Sequence, residues 1–349
     1  MADCCYAGAA SHPDHQEPSA MTEILAADIG GTHARFAIAR IGEGRVRSLG
    51  EQVTLRTHDH VSLETAWEEV ASRMGRPLPS AAAIAFAGPV GGEVLKLTNN
   101  PWVIRPAALG AALGLTQFTI VNDFGAVAHA VAQLDESQFV HLCGPQAPLP
   151  ERGCISIVGP GTGLGVAQLL KRDGAYEVIE TEGGHIDFAP RDALEDEILR
   201  RLRERYRRVS IERVASGRGL ANVYETICEM ESRPVVHRDE KELWQAAIAG
   251  TDTLAAAALD RFCLALGGAA GDIALAQGAD AVVIGGGVGL RLLERLPRSG
   301  FRERFIAKGR FERRMDAMPV KLIKYEQPGL FGAAAAFAAA HGVDRRRTG

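Results

Sequence analysis

Two glycine-rich turns, each set between two apolar runs, constrain the fold of this chain more than any other feature. The first lies in ILAADIGGTHARFAIA at residues 24–39, and the second in CISIVGPGTGLGVAQLL at residues 154–170. Apolar runs of this kind predict strands, so each segment is interpreted as a strand–turn–strand hairpin. Glycines in such turns leave backbone N–H groups unshielded, and they can adopt positive φ values that aim these donors at one anion. Two such hairpins predict a phosphate group held from both sides.

The second turn differs from two better-known phosphate loops. No lysine follows GPGTGLG, so GxxxxGK[ST] is absent, and a strand is predicted where a dinucleotide fingerprint needs a helix. Asp28 ends the first predicted strand, where a carboxylate would hold Mg²⁺ or its water ligands beside ATP phosphates, although a turn-stabilising aspartate is the alternative. Thr32 in the first turn and Thr162 in the second favour phosphate binding.

A second group of polar residues follows the strand predicted at residues 118–121. Asn122 and Asp123 come directly after it, where ligands usually bind in α/β sheets, although an aspartate here is often only a helix N-cap. Glu182 and His185 flank two glycines in EGGH. This spacing differs from the zinc-binding HExxH, and a lone histidine is more often structural. Together the four side chains supply the donors and acceptors that a molecule with several hydroxyls requires.

Length, charge and cysteine content exclude several classes of protein. The 349 residues favour two domains, and a net charge of −4 gives no basic excess for nucleic acid or an anionic membrane. Six cysteines without a CxxC pair favour reduced thiols in a cytoplasm. No apolar run approaches the roughly 18 residues that span a bilayer, the longest candidate being residues 332–340. Residues 1–20 lack the regions of a signal peptide and are predicted to be a disordered extension.

Two helical segments have structural interpretations. Asp192 and Glu195 match a capping box that opens a helix through Glu204. The six arginines of residues 200–208 are expected to be a solvated helix end with acidic partners, rather than a nucleic-acid patch. The small residues of 253–277 predict a closely packed helix.

Glycines also mark the second of these helices and the strand after it. Gly267, Gly268 and Gly271 are spaced to let the helix lie close to a neighbour. The strand AVVI leads to Gly285, Gly286 and Gly287, a turn that a flat ring or a ribose can approach closely.

From about residue 21 to residue 341 the chain closely resembles the bacterial ATP-dependent glucokinases, a group of hexokinase-like sugar kinases. The resemblance is carried in chain order by DIGGTHAR, AGP, LTNNPW, IVNDF, GPGTGLG, EGGHIDFAP, IERVASGRGL, VVIGGG, GFRERFIAKGRF and QPGLFGAAA. His33 departs from the family's pattern, which often has asparagine there. The CxCGxxGC zinc motif and the N-terminal helix-turn-helix of the related repressor and kinase group are absent. No zinc is therefore expected.

The resemblance implies an α/β chain of the actin-like ATPase fold, in which two RNase H-like domains flank a cleft. The small domain is expected at residues 21–134 plus about 326–345, and the large domain at residues 135–325. The implied activity is that of a glucokinase, which transfers the γ-phosphate of MgATP to the 6-hydroxyl of D-glucose. The implied assembly is a homodimer.

The resemblance also assigns site residues. ATP phosphates are expected at the two turns, on Asp28, Gly30, Gly31 and Thr32 and on Gly159, Gly161, Thr162 and Gly163, with the adenosine near Gly285, Gly286 and Gly287. Asp28 would hold Mg²⁺ through water. The sugar is expected on Asn122, Asp123, Glu182, His185 and Glu212, with Asp123 as the base that acts on the 6-hydroxyl.

Three alternatives remain open at the level of sequence. Hydrogen-bonding groups alone fix no sugar epimer, so a kinase of another hexose or of an amino sugar is one alternative. A non-catalytic sugar sensor is another, although the intact Asp28, Thr162 and Asp123 are typical of an active enzyme. Polyphosphate in place of ATP would need an extended cationic groove, for which residues 200–208 are the candidate.

Overall fold

The structure is a computed structural model that describes residues 21–97 and 100–342. The predicted extension at residues 1–20, Asn99 of the LTNNPW motif and residues 343–345 of the expected small domain lie outside the described residues. The strands are β1 (Thr22–Ile29), β2 (His33–Gly42), β3 (Arg45–Leu49), β4 (Val53–Arg56), β5 (Ala81–Phe86), β6 (Leu95–Lys96), β7 (Val103–Ile104), β8 (Gln117–Asn122), β9 (Phe139–Cys143), β10 (Gly153–Pro160), β11 (Leu164–Arg172), β12 (Ala175–Thr181), β13 (Ala281–Ile284) and β14 (Val320–Ile323). The α-helices are α1 (Leu63–Met74), α2 (Pro106–Leu113), α3 (Asp123–Gln133), α4 (Ala193–Tyr206), α5 (Gly217–Met230), α6 (Glu240–Ala249), α7 (Thr253–Gln277), α8 (Gly286–Arg291), α9 (Phe301–Ile306), α10 (Glu312–Asp316) and α11 (Pro328–His341).

Each predicted hairpin lies inside one of two large sheets. The first sheet has the order β3-β2-β1-β5-β8, with β4 also paired to β2, and the second has the order β12-β11-β10-β13-β14-β9. In both sheets an antiparallel hairpin, β1–β2 or β10–β11, continues into parallel strands through its first strand. The sheets therefore repeat one plan, as expected for the actin-like ATPase fold.

Helices α3 and α11 lie where the two sheets meet. The buried Leu330 and Phe337 of α11 pack with Ile24 and other residues of the first sheet, and α3 adds Ala126 to that core. On its other side α3 packs Val127 against the core of the second sheet. Helix α3 thus joins both sheets, and the division into residues 21–134 plus about 326–345 and residues 135–325 stays a prediction that this packing supports.

Helix α7 is an apolar segment longer than the candidate at residues 332–340. By length and composition it is long and apolar enough to cross a membrane, with a mean hydropathy of 1.3 over its most apolar window. It contains no long uninterrupted apolar run, because charged residues such as Asp260 and Asp272 divide it. Most of that window is buried in the protein, and α7 packs against α5, α6 and α9. Packing inside the core accounts for its composition.

The glycines of α7 follow the expected close approach at two positions of three. A Cβ at Gly267 would overlap the carbonyl of Phe301, and one at Gly271 would lie 2.6 Å from the carbonyl oxygen of Phe305. Both carbonyls belong to α9. Gly268 has open space around it, so the packing interpretation is wrong for that residue.

Helix α4 has half of the predicted capping box. The Asp192 side chain accepts a hydrogen bond from the Glu195 N–H, but the Glu195 carboxylate accepts one from the N–H of Arg191 instead of returning to Asp192. Glu195 is only 2% exposed and pairs with Arg304 at 3.1 Å, so its side chain is directed inward. The arginines of α4 pair with acidic partners such as Glu197, Glu225 and Glu229, which confirms the solvated-helix interpretation.

Candidate active site

A cleft of about 620 Å³ opens between the two hairpin turns. Thirteen of the sixteen residues predicted for the site line it, namely Asp28, Gly30, Gly31, Asp123, Gly159, Gly161, Thr162, Gly163, Glu182, His185, Glu212, Gly286 and Gly287. Thr32, Asn122 and Gly285 are not among the lining residues. The structure therefore brings together residues that lie far apart in the chain.

The turn glycines adopt a backbone geometry different from the expected one. None of Gly30, Gly31, Gly159, Gly161 and Gly163 has a positive φ. The expectation that these glycines provide positive φ values is therefore wrong. Gly159 and Gly163 are required instead because a Cβ on either would overlap a neighbouring side chain.

Two glycines of the second turn make room for an aromatic ring. Gly159 and Gly165 face each other across β10 and β11, and a Cβ on either would overlap the ring of Phe124. Gly163 has the same role toward Glu212, whose Oε2 would lie 2.7 Å from a Cβ. Only Gly161 faces open space, so it is the glycine of this turn that leaves room for a ligand.

The three glycines of the GGG segment, Gly285, Gly286 and Gly287, also differ in how closely they are packed. Gly286 has a φ of 79°, and a Cβ on it would lie 2.6 Å from the carbonyl oxygen of Pro160. Gly285 is buried and donates its N–H to the carbonyl of Val158 at 2.9 Å. Gly287 is exposed and has open space around it. The cleft-facing residues at this end are thus Gly286 and Gly287, and Gly285 is structural.

The first turn is held from behind by two side chains. The hydroxyl of the buried Thr57 donates to the carbonyl of Gly31 at 2.7 Å, and the Asn100 amide donates to the same oxygen at 3.4 Å. Asn100 also accepts a hydrogen bond from the N–H of Trp102, which is buried. The described part of LTNNPW therefore supports the turn and does not line the cleft.

Asp28 faces the cleft from the end of β1. The pKa of its carboxyl group is raised, because the effect of burial exceeds the opposing effect of the Arg35 guanidinium 3.4 Å away. A Cβ on Gly329, at the start of α11, would lie 2.7 Å from Asp28 Oδ2, so the backbone of that helix packs closely on the carboxylate. A desolvated carboxylate in a wide cleft fits Mg²⁺, which commonly takes one or two protein carboxylates and fills its remaining positions with waters and phosphate oxygens.

The cap at the start of α3 is Asn122, not Asp123. Asn122 Oδ1 accepts hydrogen bonds from the N–H groups of Phe124 and Gly125 at 2.8 and 3.2 Å, and its Nδ2 donates to the carbonyl of Gly88 at 3.1 Å. Both acceptor directions of the Asn122 oxygen are thus used. A contact of Asn122 with the sugar stays a prediction, and one Nδ2 hydrogen remains for it.

Asp123 is therefore available for chemistry. Burial, followed by the nearby charges of Asp28 and Glu182, raises its pKa to about 6, against the opposing hydrogen bond from the Phe124 N–H. A carboxylate with such a pKa is a better proton acceptor near neutral pH than an ordinary aspartate.

Three polar side chains form the other wall of the cleft. His185 lies between two carboxylates, with Nε2 4.0 Å from Glu182 Oε2 and Nδ1 3.8 Å from Glu212 Oε1. Glu182 and His185 bracket a single 3-10 turn. Gly184 is required within it, because a Cβ there would overlap the carbonyl of Leu164.

Glu212 comes to this wall through backbone pairing. The N–H of Ile211 donates to the carbonyl of Ile186 at 2.8 Å, and that of Phe188 donates to the carbonyl of Val209 at 3.0 Å. This short ladder sets Glu212 beside His185. The residues of IERVASGRG do not themselves predict this position for Glu212, since no local signal shows which segment they pair with.

Sequence reasoning missed Arg35 and Glu180. Arg35 is the only arginine or lysine among the described residues that line the cleft. The sequence feature that could have indicated Arg35 is the register of the first hairpin, which pairs Arg35 with Asp28. Glu180 of β12 accepts a hydrogen bond from the Asn122 N–H at 2.7 Å, and the missing side chain of Gly125 leaves room for its carboxylate.

Within residues 21–97 and 100–342 no group of three or more His, Cys, Asp or Glu side chains could hold a metal ion. The absence of zinc from this protein stays a prediction.

Comparison with known proteins gives consistent results across the chain. The family model described as Glucokinase matches residues 25–340. The chain is 65% identical over 316 residues to the glucokinase of Zymomonas mobilis, covering 90% of this chain and 98% of that protein. The crystal structure of a glucokinase from an Antarctic psychrotroph matches with a TM-score of 0.77 and 36% identity, covering 90% of this chain and 98% of the other. A ROK family glucokinase from Streptomyces griseus, solved with glucose and AMPPNP, shares the fold with a TM-score of 0.59 at 22% identity, over 90% of this chain and 99% of that one.

Proposed function

The chain belongs to the glucokinase family, and on that premise we propose that it transfers the γ-phosphate of MgATP to the 6-hydroxyl of D-glucose. The products are glucose 6-phosphate and ADP. The observation that carries the proposal is the position of Asp123, whose carboxylate lies in one cleft with two glycine-rich turns and the Glu182–His185–Glu212 wall. A base next to both a phosphate site and a polyol site is what transfer to a sugar hydroxyl requires.

ATP would lie along the side of the cleft formed by the two turns and the GGG segment. The phosphates would face both turns. The N–H groups of Gly30 and Gly161 already donate to the carbonyls of His33 and Gly163, so the Gly31 N–H and the Thr162 hydroxyl are the turn donors that we assign to the phosphates. Gly286 and Gly287 leave room for the adenosine. Arg35 supplies a positive charge on the same side. Charge that develops on the transferring phosphoryl group is stabilised by such fixed donors and cations.

Asp28 would hold Mg²⁺, directly or through water. When bound, the ion neutralises phosphate charge and orients the terminal phosphoryl group. The protein contributes the buried carboxylate, whose desolvation a cation would offset, and the Arg35 contact that keeps it oriented.

Glucose would lie against Glu182, His185 and Glu212, with its 6-hydroxyl toward Asp123. The wall offers carboxylate acceptors and an imidazole that can donate, which suits a ring of hydroxyls. Asp123 accepts a hydrogen bond from the 6-hydroxyl, aligns its oxygen with the γ-phosphate and takes the proton. Because the transition state is loose, the proton leaves late and a carboxylate is a sufficient base. Closing the cleft would exclude water that competes as an acceptor.

The substrate is tested by a coupled assay of ADP release from MgATP. Purified protein is assayed with glucose, mannose, fructose, N-acetylglucosamine and N-acetylmannosamine, and with polyphosphate in place of ATP. We expect glucose with ATP to have the highest kcat/KM. Faster turnover of another sugar would make the protein a different hexose or amino-sugar kinase, and no sugar-dependent ADP release would favour a non-catalytic sensor.

The catalytic role is tested by Asp123→Asn. This change keeps the size of the side chain and an oxygen that can accept the Phe124 N–H, but it removes the proton acceptor. We expect kcat to fall by about 10²–10⁴-fold, as for loss of a general base, while the Kd for glucose measured by calorimetry changes little. Near-normal turnover would refute the assignment.

We also propose that the protein is a cytoplasmic homodimer. The proposal rests on the family resemblance and on the absence of a cysteine pattern typical of secreted proteins. Sedimentation velocity at micromolar concentration tests the assembly, and a monomer would contradict it.

A further inference from the structure

A strained turn ends α4 just before the segment that carries Glu212. Arg207 has φ 57° and ψ −58°, and the N–H of Arg208 donates back to the carbonyl of Tyr206 at 2.6 Å. This is a γ-turn with positive φ, which is rare and unfavourable for a residue with a side chain. Such strain persists only where the surrounding structure holds it.

The turn directs Arg208 away from the helix and onto the segment after His185. Arg208 Nη2 donates to the carbonyl oxygen of His185 at 2.5 Å, and Nε lies 2.8 Å from Asp187 Oδ1. One guanidinium therefore contacts the backbone of His185 and the side chain two residues later. Arg208 forms no wall of the cleft itself.

These contacts continue a short backbone ladder that ends at Glu212. Asp187 pairs with Ser210 in an isolated antiparallel bridge, flanked by the hydrogen bonds of Phe188 with Val209 and of Ile211 with Ile186. The ladder and the arginine together fix the segment of His185 against the segment of Glu212. The 3.8 Å separation of the two side chains depends on that register.

We propose that Arg208 is a positioning residue for the sugar wall, and that the strained turn at Arg207 aims it there. The inference rests on the proposed function, which assigns His185 and Glu212 to the sugar. Arg208 acts through the His185 backbone and touches no substrate.

The exposure of Arg208 and Asp187 distinguishes a positioning role for Arg208 from a general contribution to folding stability. The side chains of Arg208 and Asp187 are 61% and 74% exposed, and exposed ion pairs contribute little to folding stability. Loss of Arg208 is therefore expected to change the geometry of the wall more than the stability of the protein.

The first experiment compares Arg208→Ala with Arg203→Ala, which removes an exposed arginine within α4. We expect Arg208→Ala to raise KM and Kd for glucose about three- to tenfold, with KM for ATP and Tm unchanged. Arg203→Ala should match the wild type. Asp187→Asn should share part of the effect, and the double variant with Arg208→Ala should add little. Equal increases in both KM values together with a lower Tm would mean a merely structural role.

The second experiment tests the turn. Arg207→Gly can keep the γ-turn without the steric cost, so we expect an equal or higher Tm and an unchanged KM for glucose. Arg207→Val cannot adopt this conformation easily, so the turn should rearrange and KM for glucose should rise as in Arg208→Ala. Wild-type kinetics in Arg207→Val would overturn the role of the turn.

A measurement independent of substrate keeps the two proposals apart. Hydrogen exchange of the amides of residues 186–188 and 209–212 is followed in unliganded wild type and Arg208→Ala, and we expect about tenfold faster exchange in the variant. If the wild type releases no ADP with any sugar, the proposed function fails. The exchange measurement still tests whether Arg208 holds the segment of His185 against the segment of Glu212. Unchanged exchange with unchanged KM for glucose overturns the inference.

Discussion

Asp123 determines how activity should depend on pH. Its pKa is raised to about 6 by burial and by the charges of Asp28 and Glu182, and it accepts a proton only when ionised. We expect kcat/KM for glucose to be level above pH 7 and to fall about tenfold per pH unit below about 6. A profile of initial rates from pH 4.5 to 8.5 checks this. A profile that stays level down to pH 5 would contradict the raised pKa, since an ordinary aspartate titrates near 4.

The same pKa makes a prediction about stability. A carboxyl group whose folded-state pKa lies above its unfolded value of 3.8 binds protons more tightly in the folded state. Its charge therefore destabilises the folded protein at pH 7, and this cost declines as pH falls through 6 toward 4.

Asp123→Asn removes that charge and should raise stability at neutral pH. The shift from 3.8 to about 6 corresponds to a gain of at most about 3 kcal/mol. Thermal unfolding of wild type and variant at several pH values measures it. The difference in Tm should shrink between pH 6 and pH 4, and a lower Tm for the variant at pH 7 would contradict the prediction.

The residues themselves show where sequence reasoning ends. Asparagine and aspartate are equally good N-caps, so NDF could not show that Asn122 would be the cap and that Asp123 would remain free. Arg35 was missed because its partner Asp28 is its neighbour across a hairpin, and that pairing needs the register of two strands. Both answers depend on backbone geometry beyond the local pattern.

At the scale of elements, glycines of the second hairpin that look equivalent in the sequence have different roles in the structure. Gly165 makes room for the Phe124 ring, whereas Gly161 faces open space in the cleft and has no positive φ. Because the ring follows Asp123 in α3, the turn and the helix are packed as one unit.

Gly165→Ala and Gly161→Ala are therefore a matched pair. We expect Gly165→Ala to destabilise the protein by about 1–3 kcal/mol, the usual cost of overpacking, and to lower Tm. Gly161→Ala should leave Tm unchanged and raise KM for ATP, because its methyl group would enter the phosphate side of the cleft. Thermal unfolding and steady-state kinetics of both variants are the measurements. A lower Tm in Gly161→Ala alone would invert the assignment.

Element prediction succeeded where the apolar pattern was continuous. Strand β13 has the bounds of the predicted AVVI strand, and the two hairpins extend only two or three residues beyond the predicted segments 24–39 and 154–170, except that the second begins one residue earlier. Strand β12 went unpredicted. It lies at the edge of its sheet, where partly exposed residues alternate with exposed ones, so it has no apolar run. The carboxylate of Glu180 was missed with it.

At the scale of the whole molecule, α3 packs against both sheets and α11 packs against the first sheet and α3. The alanine-rich pattern of α11 predicts a packed helix but contains nothing about which sheet it covers, since small residues fit many partners. Its place on the first sheet came from family resemblance. The contact between α11 and α3 depends on Gly332, where a Cβ would overlap the backbone carbonyl of Ala126 in α3.

Gly332→Ala tests this contact because a clash with backbone cannot be relieved by turning a side chain. We expect a loss of more than about 3 kcal/mol of folding stability, seen as a lower Tm. Since α3 begins at Asp123, kcat should also fall at temperatures where the variant remains folded. Gly268→Ala in α7 is the control, because Gly268 has open space around it and alanine favours a helix by up to about 1 kcal/mol. The control should keep or raise Tm with unchanged kcat. If Gly332→Ala behaved like the control, α3 and α11 would not be held together by this contact.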